Sequence, residues 1–287
     1  MLQTIAHYRA SPRWTTLRER TRRSYEEKLR QLLAWHKAKP VKLATLRLSD
    51  ALAFLDTYAD RPSQREHLRA MLSVLITETI LMGRRETNPF ARLKFRRTRA
   101  KKAVVLWTRD DVAAYQTTAQ ANGWPGGAIM IRTLWETAAR LSDALLWRKD
   151  IHWIDAAAGS AIEYETSKVG VYGYAPISAA LGAAIRATPG EHLVTDRCGQ
   201  PYRPVIDDDR VTTDFRWLRR AVIKSGGRHL LLRCLRHSAA TDAIDHGMTA
   251  DQTRALTTHQ TEAVLVSTYA KRTRKQARQV QVARGII

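Results

Sequence analysis

The run Arg92-Leu93-Lys94-Phe95-Arg96-Arg97-Thr98-Arg99-Ala100-Lys101-Lys102 constrains the fold more than any other part of the chain. Seven of its eleven residues are basic, and its apolar residues form no helical stripe, so it reads as a basic linker rather than a packed element. The segments on either side must therefore each build a core of their own. A length of 287 residues, 44% of them apolar, accommodates one large or two ordinary domains. The boundary is expected between residues 98 and 103, giving domains at 1–98 and 99–287.

Before the linker the pattern is helical. From Trp14 onward, Tyr25, Leu29, Leu32 and Leu33 recur at helical intervals, and Lys39-Pro40 ends that segment. Ser49 reads as the N-cap of a helix over 51–58, and Pro62-Ser63 opens another that carries Leu68, Met71, Leu72, Leu75, Ile76 and Ile80 and stops at Gly83. The result is a small all-helical bundle of about 80 residues. Its polar faces are rich in arginine: Arg18, Arg20, Arg22, Arg23, Arg30, Arg65, Arg69, Arg84 and Arg85. Each alone is compatible with a solvated charge. Their density on so small a unit favours contact with a phosphate backbone.

Beyond the linker the texture is mixed. Thr108 and Asp111 mark the capped start of a helix running to about residue 121, and 126–139 forms a second, apolar helix. Arg140 falls at the break before a short helix capped by Ser142. Short β-rich runs follow at 151–154, 161–165 and 171–177, with Lys168 in the tight turn between the last two. Residues 178–188 and 213–224 read as helices, with a loop at 201–209. The fold class is mainly α with a small antiparallel sheet.

Charge narrows the partner. With 48 Lys and Arg against 27 Asp and Glu, the formal charge is 48 − 27 = +21. That favours a polyanionic partner, with nucleic acid the default candidate. No apolar run reaches the roughly 18 residues that span a bilayer, and the N-terminus has no signal-peptide core. Cys198 and Cys234 form neither a disulfide framework nor a zinc spacing. A reducing cytoplasm and no membrane partner fit these features. No metal-ligand cluster and no glycine-rich phosphate loop point to a cofactor, and none is expected.

The chemistry concentrates between residues 233 and 269. Arg233 and Arg236, three apart on a helix, lie about 5–6 Å apart at Cβ on one face, where two guanidinium forks can converge on one anion. His259 and Tyr269 follow, a proton-handling group and a hydroxyl nucleophile. A phosphodiester suits this set. Each residue also has a plainer reading: a solvated basic face for the arginines, a half-buried aromatic for Tyr269, a soluble turn residue for Lys168.

In order and spacing, these features resemble the tyrosine recombinase (phage integrase) family over nearly the whole chain. Thr21-Arg22-Arg23-Ser24-Tyr25 followed by Asn88-Pro89-Phe90 is similar to its helical, SAM-like core-binding domain. Thr137-Ala138-Ala139-Arg140-Leu141-Ser142-Asp143 resembles the box of the first catalytic arginine, with Asp143 at the supporting acidic position. Glu165-Thr166-Ser167-Lys168 ahead of Pro176-Ile177-Ser178 resembles the β-hairpin lysine motif. Leu235-Arg236-His237-Ser238-Ala239-Ala240-Thr241 resembles the second arginine box. His259 falls at the third-box histidine and Tyr269 at the nucleophile.

The resemblance implies an α+β catalytic domain beside the core-binding domain, the two clamping a DNA duplex from opposite sides, and a homo-oligomer, a tetramer, on DNA. It implies site-specific cleavage and rejoining through a 3′-phosphotyrosyl link. Arg140 and Arg236 would hold the phosphate, Tyr269 would attack it, Lys168 would protonate the leaving 5′-oxygen and His259 would hydrogen-bond the phosphate. Arg233 stands where the family usually has histidine. It cannot act as a base, and serves either as a further clamp or as a backbone contact. Two other departures are Ala138-Ala139 where Gly-Leu is usual, and Thr258 where glycine is usual. His259 and Tyr269 are ten residues apart, about 15 Å along an unbroken helix, so a break is expected at 266–268. The basic segment after Tyr269 reads as a helix that docks on a neighbouring protomer or as a frayed tail. Rival readings are a recombinase-like DNA-binding protein impaired in catalysis and a type IB topoisomerase-like relaxing enzyme.

Overall fold

The computed structural model describes residues 1–91, 93, 95, 105–157, 159–168, 170–203 and 208–258, and the chain divides into two units, Met1–Lys101 and Lys102–Ile287. Most of the basic run lies outside the described residues.

The first unit is helical: α1 (Leu2–Ala10), α2 (Pro12–Thr15), α3 (Glu19–Ala38), α4 (Leu48–Asp56) and α5 (Pro62–Leu81). Pro62 occupies the first turn of α5, where its missing N–H costs nothing. The i, i+3, i+4 stripe of Leu68, Met71, Leu72, Leu75 and Ile76 is buried against Leu29 and Leu32 of α3, Phe54 and Leu55 of α4, and Ile5 and Tyr8 of α1. Each such side chain contributes about 1.5–3 kcal/mol through burial. Glu78 of α5, 1% exposed, is paired by Arg13 and by His7 Nδ1 at 2.6 Å, which fastens the first two helices to α5.

Three expectations change here. The bundle begins at Leu2, not Trp14, because Ile5 and Tyr8 form a stripe too short to show a period. Helix α4 starts at Leu48 with Arg47 at its N-cap, so Ser49 lies inside it. Several arginines are absorbed by the bundle itself. Arg85 Nη1 donates to the carbonyls of Leu43, Ala44 and Leu46 at 3.0, 3.3 and 2.9 Å. Arg69 bonds Glu66 and the Phe90 carbonyl, and Arg22 bonds the carbonyls of Thr15 and Leu17. Arg18, Arg20 and Arg30 are exposed.

The second unit is built on α6 (Arg109–Ala121) and α7 (Pro125–Thr137). A capping box opens α6: the Thr108 hydroxyl accepts from Asp111 N–H, and the Asp111 carboxylate accepts from Thr108 N–H. Helix α7 is apolar almost all round, and from Gly126 to Ile131 every residue is buried, as a central helix requires. At Gly126 a Cβ would come 2.2 Å from Thr195 Oγ1, so only glycine allows that approach. Two short helices, α8 (Leu141–Ala144) and α9 (Lys149–His152), lead to an antiparallel sheet of β1 (Trp153–Ala156), β2 (Gly159–Glu165) and β3 (Tyr172–Ile177), in the order β1-β2-β3. Ile162, Tyr164, Gly173 and Ala175 face the core, and Glu163, Glu165, Tyr172 and Tyr174 alternate with them.

Helices α10 (Ala179–Ala187), α11 (Asp208–Lys224), α12 (Leu235–Asp245) and α13 (Ala250–Thr257) complete the described part, with a 3-10 turn at Leu232–Cys234 ahead of α12. Helix α12 is buried from Leu235 through Thr241 and packs on α7. Ile151 and His152 belong to α9 rather than to a strand, and α11 begins at Asp208, ahead of the expected 213. Among the described residues, no helix is long and apolar enough to cross a membrane.

Candidate active site

Two buried helices deliver the two arginines of the predicted site. Helix α7 ends at Thr137, the backbone turns left-handed at Ala138 (φ 48°), and Arg140 follows as N-cap of α8, two residues before the expected cap Ser142. Arg236 sits in the first turn of α12 and is only 7% exposed. A guanidinium cannot enter a core without acceptors, and here helix ends supply them. Its Nη1 donates to the Ala138 carbonyl at 2.8 Å and its Nη2 to the Thr257 carbonyl. Both lie at helix C-termini, where unpaired carbonyls carry the negative end of the dipole. One cation therefore ties together the ends of α7 and α13.

Helix α13 terminates like α7. Its C-cap, Thr258, is left-handed (φ 53°), and among the described residues Ala138 and Thr258 are the non-glycine residues with positive φ. These are the two sequence positions at which the resemblance leads one to expect glycine. The geometry explains that preference, since an L-residue in this region costs about 1–2 kcal/mol and glycine does not pay it. Thr258 is held by packing: its methyl approaches Gly173, where an added Cβ would lie 3.1 Å from Thr258 Cγ2 and 2.7 Å from Tyr164 Cζ.

Tyr164 of β2 marks the meeting point. It is buried, its ring stands close to the Thr258 methyl across Gly173, and it lies within electrostatic reach of Arg236, Asp143 and Arg140. Burial pushes its phenol above the ordinary value, and Arg236 pulls the other way. Sequence reasoning did not single out Tyr164, whose signal was only an apolar-face position in a strand.

Asp143, 1% exposed, stands between the first arginine and the hairpin turn. Its Oδ2 is 3.8 Å from Arg140 Nη1, an ion pair longer than a hydrogen bond. Its Oδ1 accepts both the hydroxyl and the N–H of Ser167, at 2.5 and 3.2 Å. Lys168 follows directly, exposed in the turn between β2 and β3. Thus Arg140, Arg236 and the Lys168-bearing turn gather around Asp143 and Tyr164. Arg233 is exposed on the 3-10 turn before α12, while its neighbours Cys234 and His237 are buried. His259, Tyr269, the expected break at 266–268 and the basic segment after it lie outside the described residues.

No protein-family model matches the chain, and no curated protein matches it. Solved structures do. A lambda integrase tetramer bound to a Holliday junction aligns with a TM-score of 0.71 at 18% identity, over 94% of this chain and 77% of that one. A dimer of lambda integrase residues 75–356 bound to a COC′ core site gives 0.71 at 18% identity, over 96% and 99%. Tn1549 transposon integrase, residues 82–397, in complex with circular intermediate DNA gives 0.69 at 16% identity, over 98% of each chain. The chain has the fold of the tyrosine recombinases, helical with one small antiparallel sheet.

Proposed function

We propose that this chain is a site-specific DNA recombinase of the integrase type, which cleaves and rejoins strands of double-stranded DNA through a 3′-phosphotyrosyl intermediate. The observation that carries this reading is the gathering of Arg140, Arg236 and the Lys168 turn around one buried carboxylate, in a fold shared with integrases solved on DNA.

In this mechanism Arg140 and Arg236 donate to the non-bridging oxygens of the scissile phosphate and offset charge in the pentavalent transition state. Removing one such preorganised donor typically costs about 10²–10³ in rate. Arg236 is preorganised by its two carbonyl bonds, so little reordering is needed when phosphate arrives. Tyr269, its phenolic proton given up to water and its anion stabilised by the cationic site, attacks phosphorus, the bond to the 5′-oxygen breaks, and Lys168 supplies that oxygen's proton. His259 hydrogen-bonds the phosphate. The tyrosyl ester keeps the energy of the broken bond, so attack by a 5′-hydroxyl of a partner strand reverses the sequence without a cofactor. Arg233, exposed on the 3-10 turn ahead of α12 and not on the helix that carries Arg236, adds charge as a clamp or a backbone contact. The unit ahead of the basic run acts as the core-binding domain, and the working assembly is a homotetramer on DNA.

The test is covalent trapping. The DNA flanking the gene is searched for inverted repeats around a short spacer, and a nicked suicide duplex carrying such a site is incubated with wild type and Tyr269→Phe. Wild type forms a protein–DNA adduct stable to denaturant; Tyr269→Phe binds equally and forms none. A second reading, a DNA-binding protein that no longer cleaves, draws on Arg233 in the usual histidine position. It prevails if wild type binds this duplex and yields no adduct.

A further inference from the structure

Lysine is a poor device for delivering a proton to one atom unless its backbone is held, because four flexible carbons separate ammonium from Cα. The turn carrying Lys168 is closed locally by Thr166, whose N–H donates to the Val171 carbonyl at 2.8 Å and whose hydroxyl accepts the Val171 N–H at 2.9 Å. Those bonds shape the turn but do not attach it to the site. The attachment is Ser167. Its hydroxyl and its N–H converge on one oxygen of Asp143, 24 positions away in sequence, on a carboxylate that is 1% exposed. Adjacent Cα atoms are about 3.8 Å apart, so fixing Ser167 at both ends fixes the base of the Lys168 side chain. The other oxygen of the same carboxylate faces Arg140.

We propose that Ser167 is a positioning residue for Lys168. Through Asp143 it sets the proton donor of the leaving group in register with the arginine that holds the phosphate. This rests on the strand-transfer reading above, in which Lys168 protonates the 5′-oxygen.

The experiment is single-turnover cleavage by wild type, Ser167→Ala, Ser167→Thr and Lys168→Ala on two duplexes. One is ordinary; the other has sulfur in place of the scissile 5′-bridging oxygen. A thiolate leaves without a proton, so a defect in proton delivery vanishes on the sulfur duplex, whereas a defect in the arginine clamp or the fold persists. On the ordinary duplex Ser167→Ala is expected to cleave about 10- to 100-fold more slowly, as a displaced general acid should. On the sulfur duplex it should match wild type, and Ser167→Thr, which keeps the hydroxyl, should stay within a few-fold on both. Equal slowing of Ser167→Ala on both duplexes, or no slowing on either, overturns the proposal. Lys168→Ala separates the two levels. If sulfur rescues Lys168→Ala but not Ser167→Ala, only the positioning role falls; if it rescues neither, the role of Lys168 falls and this proposal with it. Amide exchange across 165–171 provides a readout that needs no turnover. Faster exchange in Ser167→Ala supports the anchor, and unchanged exchange overturns it.

Discussion

Arg236 should be as much a structural tie as a phosphate ligand, and the two roles can be separated by measurement. Replacing it with alanine leaves the Ala138 and Thr257 carbonyls, both at buried positions, without their guanidinium donor. Each orphaned acceptor costs about 1–3 kcal/mol. Relief from burying a cation offsets part of that, for a net loss of about 2–4 kcal/mol. Arg236→Lys keeps the charge but not the fork, and loses one of two charge-assisted bonds, about 1.5–3 kcal/mol. Arg233→Ala, three positions earlier and exposed, should change stability by less than about 0.5 kcal/mol. The assay is urea unfolding of the full chain followed by tryptophan fluorescence, since Trp107, Trp124 and Trp147 lie in the core of the second unit. Amide exchange in α13 should rise first, because that eight-residue helix is tied to α12 at its last carbonyl. An Arg236→Ala protein that loses activity but unfolds at the wild-type midpoint, with α13 exchange unchanged, refutes the anchoring argument. So does an Arg233→Ala penalty of equal size.

Three further outcomes follow from the same geometry. Gly173→Ala should destabilise by about 1–3 kcal/mol, because the new methyl meets the Tyr164 ring and the Thr258 methyl; a thermal melt reads this directly. Ala138→Val should cost more than about 2 kcal/mol, since a β-branched side chain is placed at a fully buried left-handed position, while Ala138→Gly should stay within about 1 kcal/mol. Burial holds the His152 imidazole below its ordinary value, and its Nδ1 accepts the Arg148 N–H at 3.0 Å, which requires that nitrogen unprotonated. The unfolded chain then binds more protons between the lowered value and about pH 6.5. Stability from this group is complete above that pH and lost as pH falls through the lowered value. Denaturation midpoints measured across this range should show a slope that His152→Asn flattens.

Local chemistry was legible in the sequence wherever one residue decides an element's end. Pro62 and Thr108 mark true helix starts, and Ser178 caps α10 through the Leu181 N–H. From α3 to α11 the order of elements also read correctly apart from the one-turn α9, because the shift from helical to alternating periodicity survives errors at the ends. Ser49 and Ser142 misled because cap residues are also tolerated inside a first turn, and the helices there start without a side-chain cap. The departures at Ala138 and Thr258 were visible, yet only the backbone angles show that both sit at left-handed helix ends touching the same guanidinium. Contacts such as Ser167 to Asp143 leave no local trace. They depend on where α7 ends in space, which is set by its packing and not by its neighbours in sequence.

The stitching of Arg85 into the 43–46 loop bears on how a polyanion would feel this chain. A guanidinium whose donors are already spent on its own backbone still radiates its field, but it has few hydrogens left with which to grip. The formal excess of positive charge therefore measures attraction at a distance better than it measures the number of footholds. The steepness with which salt weakens binding should report the smaller of those two quantities.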